Sequence, residues 1–209
     1  MFVLAQMTDT VRILPHEFGL DFQRALQKAL NKKFANKVVL DVGLCVCFYD
    51  FISIGDSCLL PGDGATHTKV NFRLVVFRPF IDQVLVGTIR SSSKDGIQIS
   101  MGFFDDIYVP AEKLPAPSKF EETDQIWYWE YEQDDASPAK LYIDPGKTVR
   151  FRVVEETFQE TQPTATAGPE SMDLPSTSGI DEGSGEKKAP YFITASLSEP
   201  GLGCLQWWE

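Results

Sequence analysis

Few residues of this 209-residue chain are of a type and spacing that could do chemistry. Two histidines, His16 and His67, and four cysteines, Cys45, Cys47, Cys58 and Cys204, are the best metal ligands and nucleophiles on offer. No two cysteines have the C-x-x-C spacing of a zinc or redox motif, and neither histidine has a neighbour suited to share a metal. Cys45 and Cys47 lie two apart in an apolar run. As strand residues they share one face, which reads as small buried side chains. Asp105-Asp106 and Asp134-Asp135 pair carboxylates, but adjacent strand residues point to opposite faces, so neither pair makes a two-carboxylate site alone. Gly62-Asp63-Gly64 lacks the spacing and ending of a phosphate loop, despite Lys69 nearby. Gly201-Leu202-Gly203 lacks the third glycine of a dinucleotide fingerprint. G-x-S-x-G, H-E-x-x-H and a Cys–His signature are missing. The chain therefore reads as non-catalytic, with no cofactor and no metal.

Binding has more to work with. Phe103, Phe104 and Tyr108 cluster between short strands, and Arg90, Lys94, Arg150 and Arg152 supply charge nearby. Aromatics that stack bases, beside cations that track phosphates, are the requirements of a single-strand nucleic-acid face, although Phe is also common core filling. In the run IWYWEY, Trp127, Trp129 and Tyr131 share one strand face. Such a stripe either packs on a core or forms a protein interface, and the sequence leaves both open. Charge restrains the nucleic-acid reading. The net charge is −11, yet residues 1–80 sit near +2 and residues 81–209 near −13. An acidic half argues against strong autonomous nucleic-acid binding and leaves room for a local contact assisted by partners.

The elements that position these residues follow from periodicity. Residues 2–7 read as a strand. Pro15 leads into a helix over 16–34, with Phe18, Phe22, Ala25, Leu26, Ala29 and Leu30 on one stripe. Residues 38–54 are rich in β-branched and aromatic side chains and read as strand. Pro61-Gly62-Asp63-Gly64 is a turn, and residues 70–76 alternate as a strand. This is a β-α-β-β unit of α+β class. Pro79-Phe80 marks a boundary, give or take a few residues, because proline removes a ladder donor. Beyond it, short strands are expected over 84–90, 96–101 and 106–109. A proline-rich loop over 110–117 comes next, then a hairpin of 126–132 with 140–143, and strands over 148–154 and 191–197. Five short core strands with glycine-bearing turns fit a small closed barrel of the OB type. Residues 161–189 hold no aromatic residue and are rich in Ser, Thr, Pro, Gly and acid. They are expected to be disordered and to interrupt the barrel, not to link two domains. Two domains result: an α+β unit over 1–80 and an all-β barrel over 81–209. No signal peptide and no apolar run of about 18–20 residues is visible, so no membrane contact is expected. The cysteine pattern suits a reducing, intracellular setting.

The run PGDGATHTKVNFRLVVFRPFIDQVLVGTI, residues 61–89, carries a resemblance. Its Gly62/Gly64 turn, alternating strand 70–76, Val76-Phe77-Arg78-Pro79-Phe80 boundary and barrel-entry Gly87 are similar to the junction between tip domain and barrel in the larger stalk subunits of archaeal and eukaryotic RNA polymerases. MFVLAQMTDTVRI, LNKKFANKVV, SMGFFDDIYVP, IWYWEYE and SEPGLGCLQWW resemble the eukaryotic RNA polymerase III version, so the likeness runs along nearly the whole chain. It implies a ribonucleoprotein-like N-terminal tip domain followed by an S1-like barrel, which the hairpin and the acidic stretch interrupt. It implies a non-catalytic nuclear subunit that pairs with a smaller helical partner and docks on the polymerase core. The heterodimer would meet initiation factors, support initiation on transfer RNA, 5S and other small RNA genes, and contact nascent RNA. The resemblance assigns core docking to Phe2, Pro61, Gly62, Asp63, Gly64, Thr68, Val70 and Phe72. RNA contact falls to Arg90, Lys94, Phe103, Phe104 and Tyr108, and another protein interface to Trp127, Trp129 and Tyr131. The alternative is a free-standing OB-fold protein that binds single-stranded RNA in translation or RNA processing.

Overall fold

In the computed structural model, which describes residues 1–131, 139–159 and 190–208, the β-branched and aromatic runs become thirteen strands, and one amphipathic run becomes a helix. The first strand, β1 (Phe2–Ile13), passes well beyond residue 7, where the expected strand stopped. Alternation continues through Thr8 and Asp9, so Val11 and Ile13 still reach the core. The helix α1 (Phe22–Phe34) starts later than residue 16. Pro15–Glu17 forms a separate 3-10 turn, Gly19 comes after it, and the Asp21 carboxylate accepts from the Arg24 backbone N–H as N-cap. Glycine disfavours helix and a side-chain acceptor satisfies an orphan donor, so the start falls at Phe22. Ala25, Leu26 and Leu30 are buried, whereas Phe18 and Phe22 remain exposed.

The long run at 38–54 divides. β2 (Lys37–Val39) and β3 (Gly43–Leu59) are separated by a turn in which Asp41 takes a left-handed φ of 59°. β4 (Thr66–Phe77) completes a four-stranded antiparallel sheet of order β1-β4-β3-β2. Val70, Phe72, Leu74 and Val76 face the helix and are almost wholly buried. β3 is irregular: four register shifts, beginning between Cys45 and Cys47, keep Cys45, Phe48, Phe51 and Ile54 directed at one core. The first shift also corrects the cysteine expectation. A bulged residue reverses the facing of the residues after it, so Cys45 is buried and Cys47 exposed; Cys58 is exposed as well.

The remaining strands are β5 (Val84–Ser93), β6 (Gly96–Ser100), β7 (Ile107–Pro110), β8 (Ser118–Glu121), β9 (Ile126–Tyr131), β10 (Ala139–Ile143), β11 (Thr148–Phe158), β12 (Tyr191–Ser196) and β13 (Gly203–Cys204). β5, β6, β7, β12 and β11 pair in that order, and β11 returns to β5, which closes a five-stranded barrel of OB type. The β7–β12 pair is parallel and the other barrel pairs are antiparallel. Closure brings β5 onto β6 so tightly at Gly87 that a Cβ would lie 2.6 Å from Ile99 and 2.8 Å from the Ser100 carbonyl. Ile89, Ile97, Ile99, Ile107, Val109, Val149, Phe151, Val153 and Ile193 fill the interior. The hairpin is one strand larger than expected. β8 joins β9 and β10 in a three-stranded sheet that lays Trp127 and Ile143 on the barrel core. The proline-rich stretch is not all loop, since Pro110 is the last residue of β7. The expected disorder over 161–189 and the hairpin connection over 134–138 lie outside the described residues.

Candidate docking loop and nucleic-acid interface

The loop between β3 and β4 is built by two glycines in the left-handed region, Gly62 at φ 93° and Gly64 at 67°. Between them, the Asp63 carboxylate takes both Arg12 guanidinium donors, one at 2.9 Å, and is hydrogen-bonded 2.9 Å from His67 Nε2. These bonds, Arg12's first and His67's second, hold the Asp63 carboxyl down at about 2. Three chain segments are thus tied at one end of the sheet, beside the exposed Leu59 and Leu60. Pro61, Gly62, Asp63 and Gly64 are all exposed.

The structure separates other residues that the resemblance grouped with this loop. Thr68, Val70 and Phe72 have no exposure. The Thr68 hydroxyl lies 2.7 Å from Ser57 Oγ, and Val70 and Phe72 belong to the helix-facing core, so these three support the loop from beneath. Phe2 pairs with Phe77, whereas Ile13 pairs with Thr66 beside the loop. Phe2 is therefore at the opposite end of the sheet, roughly 35 Å away at the rise of an antiparallel strand. There its ring lies 5.8 Å from both Phe77 and Phe103.

That opposite end is where the sheet meets the barrel. Phe77 packs on Phe103 and Phe104, and Phe104 on Tyr191. Arg78 secures the junction: its guanidinium donates to Glu156 on β11 at 2.5–3.1 Å and to the Asp41 carbonyl at 2.6 Å, and it lies over the Phe158 ring. The Tyr191 hydroxyl donates to Glu156 at 3.3 Å, and burial, with Glu156 beside it, pushes that phenol upward. Sequence reading missed Arg78, Glu156 and Tyr191 as partners. Arg78 was visible as the unassigned position before Pro79, but its acceptor lies 78 residues away.

The barrel face offers less to RNA than its composition suggested. Phe104 is 5% exposed and belongs to the core, so it cannot stack a base. Phe103 packs against Phe2 and Phe77 and stays 45% exposed. Arg90 donates to Asp105 at 2.9 Å and Lys94 to Glu122 at 2.6 Å. Arg152 is paired with Glu199 at 2.7 Å, and Arg150 donates to the Gly201 carbonyl. Tyr108 is half-buried, its phenol pushed up by burial and by Asp95. Asp106 is raised by burial first and by Asp105 second, while Asp105 itself accepts from Ser100 and Arg90.

The tryptophan stripe resolves in favour of packing at its first position. Trp127 is buried and donates to the Ser93 carbonyl at 2.7 Å. Trp129 lies 5.5 Å from Trp207 of the C-terminal turn and donates to the Ala116 carbonyl, and Tyr131 is exposed at the stripe's end. Among the described residues, no three His, Cys, Asp or Glu side chains are grouped to hold a metal ion. No helix among them is long and apolar enough to cross a membrane.

Residues 83–208 match the family described as RNA polymerase III subunit Rpc25, and residues 8–64 match the SHS2 domain found in the N terminus of Rpb7p/Rpc25p. The chain is 50% identical over 208 residues to DNA-directed RNA polymerase III subunit RPC8 of Bos taurus, covering 100% of this chain and 98% of the relative. It is 36% identical over 216 residues to subunit rpc8 of Schizosaccharomyces pombe, covering 100% of both. It is 25% identical over 154 residues to the archaeal subunit Rpo7 of Saccharolobus solfataricus, covering 74% of this chain and 82% of the relative.

Proposed function

Because this chain belongs to the Rpc25 family of RNA polymerase III stalk subunits, we propose that it is the non-catalytic arm that carries its barrel away from the polymerase core. One geometric observation supports this reading. The braced loop at 61–64 lies at the far end of strands β1, β3 and β4 from the barrel contact at Phe77, so one end docks while the other stands clear. We take residues 1–80 as the tip domain and 81–209 as the barrel domain. Among the described residues, strand pairing that stays within each side of Pro79 supports that division. The partner is a smaller helical subunit, the pair supports initiation on transfer RNA, 5S and other small RNA genes through initiation factors, and the site of action is the nucleus. Catalysis stays with other subunits.

Affinity purification of polymerase III with a tagged parent chain, and with a chain in which Asp63 is replaced by Lys, tests the reading. The parent brings down the polymerase and a smaller helical subunit, and Asp63→Lys brings down much less of the core. Polymerase lacking the chain keeps elongation on a tailed template and loses promoter-directed initiation. Intact initiation without the chain, or nucleotide addition by the isolated chain, refutes it.

A further inference from the structure

The β8–β9–β10 sheet is carried on the barrel without a ladder. Among the described residues none of its strands pairs with a barrel strand, so side chains must fasten it. One row does so at its inner end. Phe120, Trp127 and Ile143 pair across the three strands, Trp127 and Ile143 lie in the barrel core, and Trp127 Nε1–H donates to the Ser93 carbonyl at 2.7 Å. The next row, Ser118, Trp129 and Leu141, stands about 7 Å farther along, two residues at the rise of a strand. The row after it ends on the exposed Tyr131. A sheet fastened along one row can swing about that row.

A second fastening comes from the other side of the barrel. β13 pairs with β11 through Cys204 to Val149 and Gly203 to Arg150, and Leu202, Gly203 and Cys204 are buried. The Arg150 guanidinium donates to the Gly201 carbonyl at 3.3 Å, and Trp208 Nε1–H to the Leu202 carbonyl at 3.0 Å. These bonds close the 3-10 turn Leu205–Trp207 onto the barrel and aim Trp207. The Trp207 ring lies so close to Gly203, at φ 98°, that a Cβ there would be 2.4 Å from Cζ3. The same ring packs against the barrel core and meets Trp129 at 5.5 Å between centroids. Trp129 is otherwise engaged by Tyr131 of its own strand and by the Ala116 carbonyl just before β8. Its tie to the β11 side of the barrel therefore runs through Trp207. We propose that the turn after β13 is a strap: Trp207, seated on Gly203, locks the hairpin sheet against the barrel. Without it the sheet swings about the Trp127 row while the barrel stays closed. This device stands apart from the stalk reading, since it concerns how one sheet is held by its own barrel.

Hydrogen–deuterium exchange of the full chain, read by mass spectrometry, tests the strap. Trp207→Ala speeds exchange of the β9 and β10 amides on the order of tenfold, the scale of one aromatic pair with its burial, and leaves β5 and β6 at the parent rate. Gln206→Ala, an exposed neighbour in the same turn, leaves all four strands unchanged. Should Trp207→Ala lose its native melting transition, Trp207→Leu, which keeps apolar volume on the barrel without an aromatic ring, carries the same expectation. The strap is overturned if hairpin exchange in the folded variant stays at the parent rate. It is overturned equally if β5 and β6 accelerate as much as β9 and β10, which would report a general loss of stability in place of a released sheet.

Discussion

The N-terminal sheet and the barrel are both antiparallel in the main, but one is open and the other closed. Closure leaves the barrel without a free edge, so its alternating residues go to its own core. In the open sheet, β1 pairs only with β4 among the described residues, and β2 covers only residues 43–45 of β3. The rest of β3 is broken by bulges about every third residue, which set Val46, Tyr49 and Ile52 outward between the inward Cys45, Phe48, Phe51 and Ile54. Bulges twist an edge out of register with a stray strand, so this edge is exposed yet blunted. The contrast is one of exposure: β3 sets Val46, Tyr49 and Ile52 outward along its length, whereas Ile97, Ile99, Ile107 and Val109 of the barrel are fully buried.

Breaking the closed half should cost most. Phe151 is fully buried at the barrel centre, and Phe151→Ala is expected to lose about 4 kcal/mol in urea denaturation. Only the barrel signal moves if the halves unfold separately; both move if they are one cooperative unit. Next comes the join between them. Arg78→Ala removes donors to Glu156 and to the Asp41 carbonyl. The expected loss is about 1–2 kcal/mol, discounted because the Arg78 side chain is 37% exposed, with a split of one melting transition into two. A single unshifted calorimetric transition would show that the aromatic contacts alone couple the halves.

At the open end the handle is pH. Asp63 has a folded pKa of about 2, held down by Arg12 and then His67, below the ordinary carboxylate value of about 3.9. The folded state therefore gains from the ionised group above about pH 4, and that gain is lost as pH falls through about 2. Hydrogen exchange of the 61–64 loop should accelerate over that interval in the parent, and Asp63→Asn should remove the pH step. The smallest effect belongs to the blunted edge. Ile52→Thr keeps a β-branched residue at an exposed bulge and should change stability by no more than about 0.5 kcal/mol. A larger loss in chemical denaturation would mean that Ile52 packs against something within this chain.

Local signals carried much of this molecule. Alternation from Val70 to Val76 and from Val149 to Val153, the turn glycines Gly62 and Gly64, and the proline at 79 act over a few residues, so they can be read in order along the chain. The α+β unit, the closed barrel and the turn at Gly62 and Gly64 were legible for that reason. Facing and distance were not. A single bulged residue separated Cys45 from Cys47, and no local pattern announces a bulge. Phe2 and the 61–64 loop looked like one site until register put them at opposite ends of the sheet.

Residue type and short spacing suffice for the lack of a catalytic motif, for the helix and the strands other than β2, β8 and β13, and for the acidic imbalance of the second half. All three are therefore legible in the chain without its fold. Which charges and rings are already engaged is settled in three dimensions alone. Arg90 of β5 meets Asp105 of the β6–β7 connection, Phe104 turns into the core, and Arg78 finds Glu156 across 78 residues. Pairing and burial depend on long-range register, and register is a property of the folded sheet.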